Sequence, residues 1–322
     1  MKKVSILVPE SAVIEAVADP QYMFSAANQF LQTNGQKPLF DVKLVGQKKE
    51  VKFNNGMFSV YTDMLLDDAK QTDLIIIPAL FGDMKTAVDL NRDTIPWIVN
   101  HYKNGVEVAS LCVGAFLLAS TGILDGKKCS THWAFYNEFR ETFPDVEIMD
   151  GSIITEENGV YSSGGANSYW NLLLYLLEKY TDRDTAILAS KYFAIDIDRE
   201  SQAAFMMFNG QKDHNDTEVK KVQEYIEANY QDKITVDDMA DMVAISRRSF
   251  ERRFKQATDN TIIEYHQRVK VEAAKRSFES TRKNIAEVMF DVGYTDTKAF
   301  RTVFKKITGL TPIEYRNKYS KI

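Results

Sequence analysis

The sequence contains little cysteine and little histidine. Two cysteines, Cys112 and Cys129, and four histidines occur among 322 residues. A single pair of cysteines cannot form the disulfide framework of a small secreted protein, and such scarcity is typical of proteins that fold in a reducing compartment. The histidines show no spacing from cysteines or acids that would suit a metal ion. We therefore expect no metal and no other cofactor.

Long hydrophobic runs are also absent. No stretch of 18 apolar residues occurs, so we expect no membrane-spanning helix. The apolar run at residues 4–8 ends at Pro9 and Glu10 and is too short for a secretory signal peptide. These absences predict a cytoplasmic protein.

Charge is unevenly distributed along the chain. The net charge is −5, but residues 217–322 contain 21 Lys and Arg against 16 Asp and Glu, which gives +5. Residues 1–216 contain 19 Lys and Arg against 29 Asp and Glu and therefore carry −10. Because a local basic surface attracts phosphate whatever the total charge, the C-terminal third is the candidate for nucleic-acid binding.

One pattern occurs twice in this basic third. Residues 239–265 and 289–315 align without a gap and share ten identical residues in 27 positions. The identical pairs are Met239/Met289, Asp241/Asp291, Phe250/Phe300, Phe254/Phe304, Lys255/Lys305, Thr258/Thr308, Thr261/Thr311, Ile263/Ile313, Glu264/Glu314 and Tyr265/Tyr315. An internal repeat of this kind predicts one supersecondary unit that is built twice.

The first copy predicts two short helices joined by a tight turn. Thr235 is the expected N-cap of a helix over residues 236–242, and Ser246 is the expected N-cap of a second, basic helix. Phe250 and Phe254 lie four residues apart on the second helix, so they share one face and belong in the core. Off this face, largely towards solvent, lie Arg247, Arg248, Ser249, Arg252 and Arg253.

The second copy follows the same plan. Its first helix covers residues 285–291, Gly293 lies in the turn, Asp296 caps the second helix, and Phe300 and Phe304 form the core pair. A helix-turn-helix whose second helix is basic is the unit that enters the major groove of DNA. The side chains that we expect to contact double-stranded operator DNA are Arg247, Arg248, Ser249, Arg252, Thr297, Lys298, Arg301 and Thr302.

The second copy also contains a recognisable set of short motifs. They are Gly293-Tyr-Thr-Asp-Thr-Lys-Ala-Phe-Arg301, Phe304-Lys305, Gly309-Leu-Thr-Pro312 and Tyr315-Arg316. Together they closely resemble the signature of the AraC/XylS family over about residues 218–319. The resemblance implies seven helices, with a linker helix at residues 262–279 that lets two recognition helices reach successive major grooves, about 34 Å apart. A helical bundle with solvated basic faces is the alternative, but it leaves the repeat, the turn glycine and the signature unexplained.

The first 180 residues alternate between strand and helix patterns. The predicted strands are residues 4–8, 40–45, 73–78 and 106–110, and the predicted helices are residues 19–33, 95–104, 113–121 and 169–180. Such alternation indicates an α/β domain. The expected fold is a flavodoxin-like parallel sheet with helices on both faces, followed by an all-α domain with two helix-turn-helix units.

The candidate for chemistry in the first half is Cys112, which lies between a predicted strand and a predicted helix. This is the position of a nucleophile elbow, a sharp turn at the carboxyl end of a sheet strand, and Gly114 lets such a turn close tightly. The helix N-terminus is expected to favour the thiolate and lower the pKa of Cys112. Judged on spacing alone, a lone cysteine in an apolar context is more often inert packing.

Motifs around this cysteine resemble the PfpI-like, class I glutamine-amidotransferase-like superfamily. They are the elbow Ala109-Ser-Leu-Cys-Val-Gly-Ala115, the segment Gly126-Lys-Lys-Cys-Ser-Thr-His132 and the loop Ser163-Gly-Gly-Ala166. The resemblance implies that His132 is the superfamily's histidine and that Glu15 stands where an acid often hydrogen-bonds the thiol. A domain of this kind before an AraC-type tail is similar to the GlxA-type regulators.

One turn departs from the superfamily pattern. Members commonly have a Pro-Gly-Gly turn where this chain has Pro78-Ala-Leu-Phe-Gly82. In the enzymes that turn supplies backbone amides to an oxyanion site, and bulky Leu80 and Phe81 argue against such a site here.

Two functions remain open at this point. The first is a DNA-binding transcriptional regulator whose N-terminal domain dimerises and binds an unidentified small metabolite near Glu15, Cys112 and His132, or senses oxidation of Cys112. The second is a cysteine-dependent hydrolase or aldehyde-handling enzyme fused to a DNA-binding tail, with Cys112 as nucleophile and His132 as base.

We expect the first function, and therefore no catalytic residues. The expected organisation is a sensor and dimerisation domain at residues 1–182, a linker at 183–217 and a DNA-binding domain at 218–320.

Overall fold

The computed structural model describes residues 1–197, 201–212 and 214–320. Its contacts divide the chain into two compact units, Met1–Gln202 and Ala203–Ile322. The domain boundaries expected after residues 182 and 217 stay predictions, and part of the expected linker, residues 198–200 and 213, lies outside the described residues. The first ten residues of that linker form a helix of the first unit.

The first unit contains strands and helices in alternation. The strands are β1 Lys2–Leu7, β2 Phe40–Gly46, β3 Glu50–Phe53, β4 Phe58–Tyr61, β5 Met64–Leu65, β6 Leu74–Ile77, β7 Glu107–Ser110, β8 Lys128–Cys129, β9 Glu147–Ile148, β10 Ile154–Glu157 and β11 Val160–Ser163. The helices are α1 Ile14–Thr33, α2 Met84–Leu90, α3 Ile95–Lys103, α4 Ala115–Ala119, α5 Tyr136–Thr142, α6 Tyr169–Tyr180 and α7 Arg183–Tyr192.

Within residues 1–197 the main sheet has the strand order β10-β11-β7-β6-β1-β2-β5. All neighbouring strands are parallel except β10 and β11. The apolar run that forms β6 is buried throughout, as expected for a central parallel strand covered on both faces. Helices α1, α6 and α7 contact one another, whereas α3 and α4 pack on β7 and β6. The predicted α/β fold is confirmed.

The second unit is helical. Its helices are α8 Thr217–Ala228, α9 Val236–Met242, α10 Arg247–Thr258, α11 Ile262–Ser280, α12 Ile285–Asp291, α13 Thr297–Thr308 and α14 Pro312–Tyr319. Two hydrophobic cores form within it. The first includes Phe250, Phe254 and Tyr265, and the second includes Phe300 and Phe304.

Helix α11 contributes to both of these cores. Ile262 and Tyr265, near its start, belong to the first core, and Val271, Ala274 and Phe278 belong to the second. The predicted linker helix is therefore a structural part of each helix-turn-helix unit rather than a spacer. At about 1.5 Å per residue its 19 residues extend roughly 28 Å.

The repeated tyrosines, Tyr265 and Tyr315, make equivalent contacts in the two helix-turn-helix copies. The ring of Tyr265 lies 5.5 Å from that of Phe254, and its hydroxyl donates a 2.6 Å hydrogen bond to Glu227 on α8. The ring of Tyr315 lies 5.5 Å from that of Phe304, and its hydroxyl donates a 2.5 Å hydrogen bond to Glu279 on α11. Helix α11 therefore provides the carboxylate that binds the tyrosine of the second helix-turn-helix, as α8 does for the first.

The repeated Thr and Glu pairs are capping boxes. The Thr261 hydroxyl accepts a hydrogen bond from the Glu264 amide while the Glu264 carboxylate accepts from the Thr261 amide, and Thr311 and Glu314 do the same on α14. Of the predicted N-caps of the shorter helices, Thr235 and Asp296 make their side-chain bonds. The Ser246 side chain occupies the N-cap position of α10 but makes no capping bond, which corrects that detail.

The gapless repeat slips by one residue at the turns. The first helix of each copy, α9 or α12, ends in a Schellman motif with a left-handed residue. This residue is Ala244 (φ 53°) in the first copy and Gly293 (φ 73°) in the second. These two residues are 49 apart, whereas Phe250 and Phe300 are 50 apart. The second turn is therefore one residue longer, and the identical methionines of the first helices are not structurally equivalent.

Gly293 and Gly309 offer a matched pair of substitutions. Both have left-handed backbones, but a Cβ on Gly293 would lie 1.9 Å from the Gln231 carbonyl oxygen, whereas one on Gly309 would meet nothing nearer than 3.9 Å. We expect Gly309→Ala to cost about 1–2 kcal/mol of stability from backbone strain. Gly293→Ala should cost roughly 1–3 kcal/mol more, because the Gln231 backbone must move. Hydrogen exchange of α12 and α13 measures both, and equal losses would contradict the tight turn.

Candidate functional sites: two basic helices and the Cys112 elbow

The outer faces of α10 and α13 carry the predicted DNA-contacting residues. Seven of the eight are exposed, and Ser249 is half-buried. The opposite faces are fixed in the two cores by the repeated phenylalanines, which are fully buried. Each basic face is therefore presented to solvent because the rest of its helix is anchored.

Two arginines of α10 already have acidic partners. Arg247 lies 3.0 Å from the Asp237 carboxylate and 3.5 Å from that of Glu251, and all three side chains are exposed. Arg253, which we expected to face solvent, forms 2.7 and 2.8 Å ion pairs with Asp216 and Glu218 instead. Arg253 therefore ties α10 to the start of α8.

The other predicted cations have no acidic partner in the part of the chain that the structure describes. Within the residues that the structure describes, no hydrogen bond or ion pair reaches the side-chain nitrogens of Arg248, Arg252, Lys298 or Arg301. These four positive charges are solvated and exposed on the same two helices. Such a surface can exchange its water and counterions for phosphate oxygens or base edges.

Cys112 occupies the elbow that the sequence predicts. It follows β7 with φ of 53°, a left-handed conformation that is strained for a residue other than glycine, and it begins a short 3₁₀ turn that leads into α4. Two residues later, a Cβ on Gly114 would lie 2.5 Å from the Pro78 carbonyl oxygen and 2.8 Å from that of Ile77. The predicted reason for Gly114, a tightly closed turn, is confirmed.

The thiol itself is buried, and this overturns one expectation. Burial raises the pKa of Cys112 to about 12, although the Val113 amide partly opposes the rise. The expected lowering by the helix N-terminus is wrong, because desolvation of the charged sulfur outweighs it. Burial likewise raises the pKa of Cys129 to about 12.

The segment that carries His132 lies against the elbow. The neighbouring Thr131 hydroxyl donates a 3.1 Å hydrogen bond to the Cys112 carbonyl oxygen, and Ser163 Oγ accepts a 3.2 Å bond from the Cys112 amide. His132 Nδ1 accepts from the Ala134 amide at 3.1 Å, and burial lowers the pKa of the imidazole. The elbow, this segment and the Ser163 loop thus meet as the motifs suggested.

Glu15 makes no hydrogen bond with the Cys112 thiol among the described residues. Its side chain is exposed near the start of α1, and among the described residues no hydrogen bond joins the Cys112 thiol to Glu15 or His132. The three residues therefore do not form a preassembled proton-transfer chain in this structure.

A second acid, on the same helix as Glu15, was not predicted from the sequence. Asp19 lies one turn after Glu15 on α1 and accepts a 2.5 Å hydrogen bond from the Tyr169 hydroxyl. Burial raises the pKa of Asp19, and this hydrogen bond partly opposes the rise. The spacing of four residues from Glu15, and the position of Tyr169 directly after the Ser163 loop, were the available signals.

The turn after β6, which differs from the Pro-Gly-Gly turn of the superfamily, forms backbone hydrogen bonds with residues 11–13. The Phe81 amide donates a 2.6 Å hydrogen bond to the Ser11 carbonyl, and the Val13 amide donates 2.8 Å to the Ala79 carbonyl. Leu80 is buried and the Phe81 ring is 70% exposed. The Phe81 amide is therefore not available to stabilise an oxyanion, in line with the expectation from Leu80 and Phe81.

An open cleft of about 1020 Å³ lies beside this turn. One wall consists of Glu10, Ser11, Ala12, Phe81 and Leu90, and the other is the turn between β3 and β4. The cleft is thus at the edge of the sheet where β1 and β6 end, and β7 ends at the same edge because these strands are parallel.

Two features are absent from the described part of the chain. No helix there is both long and apolar enough to cross a membrane. No group of three or more His, Cys, Asp and Glu side chains there could hold a metal ion.

Comparisons with known proteins agree with this division of the chain. The model of the DJ-1/PfpI family matches residues 9–179, and a helix-turn-helix domain model matches residues 239–318. The HTH-type transcriptional regulator GbdR of Pseudomonas aeruginosa is 24% identical over 269 residues, which cover 83% of this chain and 72% of that protein. GlxA of Rhizobium meliloti, also an HTH-type transcriptional regulator, is 20% identical over 66% of each chain.

A solved structure supports the fold of the first unit. A putative transcriptional regulator from Vibrio parahaemolyticus is similar with a TM-score of 0.53 at 22% identity, and the match covers 59% of this chain and 98% of that one. Because the family model spans more than half of the chain and the helix-turn-helix model covers the repeat, the assignment follows from both halves. The chain belongs to the DJ-1/PfpI family, carries an AraC-type helix-turn-helix domain behind it, and is a DNA-binding transcriptional regulator.

Proposed function

We propose that the first unit binds a small-molecule effector and thereby sets the affinity of the second unit for operator DNA. The observation that carries the DNA-binding part is the pair of exposed basic faces held by one shared helix, α11. Its length of roughly 28 Å suits two recognition helices that enter neighbouring major grooves. A coupling of about 1–3 kcal/mol between effector and operator would be enough for regulation.

The proposed DNA contacts are those of the two basic faces. Helix α10 supplies Arg247, Arg248, Ser249 and Arg252, and α13 supplies Thr297, Lys298, Arg301 and Thr302. Arg248, Arg252 and Arg301, which have no ion-pair partner among the described residues, are the best candidates for base edges. A free guanidinium can bind guanine with two hydrogen bonds. The threonines and Ser249 suit phosphate or base contacts.

The proposed effector site is the edge of the sheet at Cys112, Glu15 and His132, with Asp19 as an added acid. Binding rather than catalysis is supported by the high pKa of the thiol and by the paired Phe81 amide. The absence of a hydrogen bond between Cys112 and His132 in the described residues points the same way. We therefore propose that the first unit has no enzymatic activity.

We further propose that the chain works as a cytoplasmic homodimer joined through its first unit. Four helix-turn-helix units would then bind a pair of operator half-sites, as the twofold symmetry of most dimeric DNA-binding proteins allows.

One observation favours a second candidate function. The left-handed backbone of Cys112 is the geometry of a catalytic elbow. A cysteine-dependent hydrolase or aldehyde-handling enzyme attached to the DNA-binding unit is therefore the alternative, with Cys112 as the nucleophile.

The DNA contacts are tested by Arg301→Ala and Arg247→Ala, with Lys221→Ala on α8 as a charge-matched control. Arg301→Ala should weaken operator binding about 5- to 150-fold, which corresponds to 1–3 kcal/mol. Arg247→Ala should have a smaller effect, because Arg247 must first leave Asp237 and Glu251. Genome-wide mapping of bound DNA supplies the operator, and fluorescence anisotropy measures affinity. Unchanged affinity in both variants would disprove this placement of the helices.

The state of the thiol is tested by alkylation. Since the pKa of Cys112 is about 12, the folded protein should react slowly with iodoacetamide at pH 7–9 and faster as the pH rises. The urea-unfolded chain should react at both cysteines with an ordinary pKa of about 8.5. Mass spectrometry locates the label.

Turnover assays, together with this alkylation experiment, separate the two functions. The wild-type protein should show no turnover of amide, ester or aldehyde substrates, and Cys112→Ala should keep the wild-type operator affinity. Rapid alkylation of the native protein, together with turnover that Cys112→Ala abolishes, would establish the enzyme instead.

A further inference from the structure

Gln202 is the last residue of the first unit, and its side chain is buried although Ser201 beside it is exposed. Its Nε2 lies 3.0 Å from the Thr131 carbonyl oxygen, 3.1 Å from that of Ser152 and 2.8 Å from the Tyr136 hydroxyl. The last residue of a unit is usually solvated, whereas this amide lies among three buried or half-buried acceptors. The side chain therefore fixes the end of the first unit to its interior.

A glycine makes room for this amide. A Cβ on Gly164 would lie 2.1 Å from Gln202 Nε2, 2.7 Å from the Thr131 carbonyl oxygen and 2.9 Å from that of Ser152. No other residue fits at this position while Gln202 is in place. The Ser163–Ala166 loop thus forms the floor of the Gln202 site, which is the buried position of the Gln202 amide among Thr131, Tyr136 and Ser152.

The Gln202 site is one residue removed from the elbow. The Thr131 carbonyl binds Gln202, and the Thr131 hydroxyl binds the Cys112 carbonyl at 3.1 Å. Thr131 is fully buried, so it has little freedom to move one group without the other. Thr131 therefore connects the strained Cys112 backbone with Gln202 through two hydrogen bonds, one from its hydroxyl and one to its carbonyl oxygen.

The chain after Gln202 belongs to the second unit and is held on α11. This connecting segment, residues 203–212, receives a 2.5 Å hydrogen bond from Lys275 Nζ to the Met206 carbonyl. The Phe208 amide donates a 3.1 Å bond to Glu272, which in turn pairs with Lys275 at 2.7 Å. Both charged groups are buried, so these bonds depend on each other.

We propose that Gln202 is the positioning residue that couples the Cys112 elbow to the connecting segment and, through it, to α11. An effector that displaces Cys112 moves Thr131 and releases the Gln202 amide. Because Ala203 follows directly, the connecting segment then loses its fixed starting point. The inference rests on the proposed effector site, and it assigns the route by which that site reaches the DNA-binding unit.

The Gln202 site is also suited to release. Its Oε1 is buried, and among the described residues it has no hydrogen-bond partner. An unmet acceptor regains a bond to water when the side chain leaves, which offsets part of the loss at Nε2. This gain reduces the free-energy difference between the bound and the released positions of the amide, which favours a switch.

Hydrogen exchange of the full-length protein tests the coupling without any effector. Gln202→Leu removes the amide, and Thr131→Val removes only the hydroxyl that binds Cys112 while it keeps the carbonyl that binds Gln202. Each variant should raise exchange in residues 203–212 at least fivefold. The double variant should exchange no faster than Gln202→Leu, because both changes act through one contact. The exposed Gln36→Leu is the matched control and should leave the segment unchanged.

Unchanged exchange in both single variants, or additive effects in the double variant, would overturn the proposal. Protection of β7 reports whether the first unit stays folded. If Gln202→Leu opens β7 as well, Thr131→Val decides, since it should expose residues 203–212 with β7 still protected.

Operator binding separates this inference from the proposed function. Gln202→Leu should change operator affinity at least fivefold, in the range typical of coupled sites. A wild-type chain that binds no operator would disprove the proposed function, whereas wild-type binding with unchanged exchange in residues 203–212 would disprove only the role of Gln202.

Discussion

The second unit depends on a single helix that two hydrophobic cores share. The first residues of α11 complete one helix-turn-helix unit, and its last two turns begin the other. The separation and rotation of the two basic faces are therefore set by the number of residues in α11. One added residue in its middle would rotate one face by about 100° and shift it by about 1.5 Å relative to the other. The capping box at Thr261 and Glu264 fixes where this helix starts.

The parts of the fold that the sequence predicts are those with strong local signals. The apolar run of β6, the helix α6 and the repeated helices follow directly from residue pattern and caps. The β3–β4 hairpin, the short β8–β9 pair and α7 were not predicted, because they are brief or polar. Helix α7 also packs against α1, which lies far earlier in the chain. The one-residue slip at Gly293 was hidden for a different reason. An alignment without gaps pairs residues at a constant spacing of 50, so it does not show that the second turn is one residue longer than the first.

The candidate site was predicted in its positions but not in its energetics. Motif resemblance brought Cys112, Thr131 and Ser163 together, and hydrogen bonds join all three. The direction of the thiol pKa could not be read from sequence, because it depends on burial, and burial of Cys112 outweighs the helix N-terminus. The role of Gln202 was equally hidden, since a glutamine in a predicted linker gives no sign that it returns to the interior. The eight DNA-contacting residues stay predictions.

The ion pairs of Arg247 bear on how the regulator responds to ionic strength. Basic residues that are solvated before binding displace condensed cations from DNA, and this release makes binding weaken steeply as salt rises. Arg247 arrives with its charge already matched by Asp237 and Glu251, so contact with phosphate leaves two carboxylates that attract cations again. The first helix-turn-helix unit should therefore contribute a shallower salt dependence than the second. Fluctuations in cellular potassium would then change the two halves of the operator contact unequally.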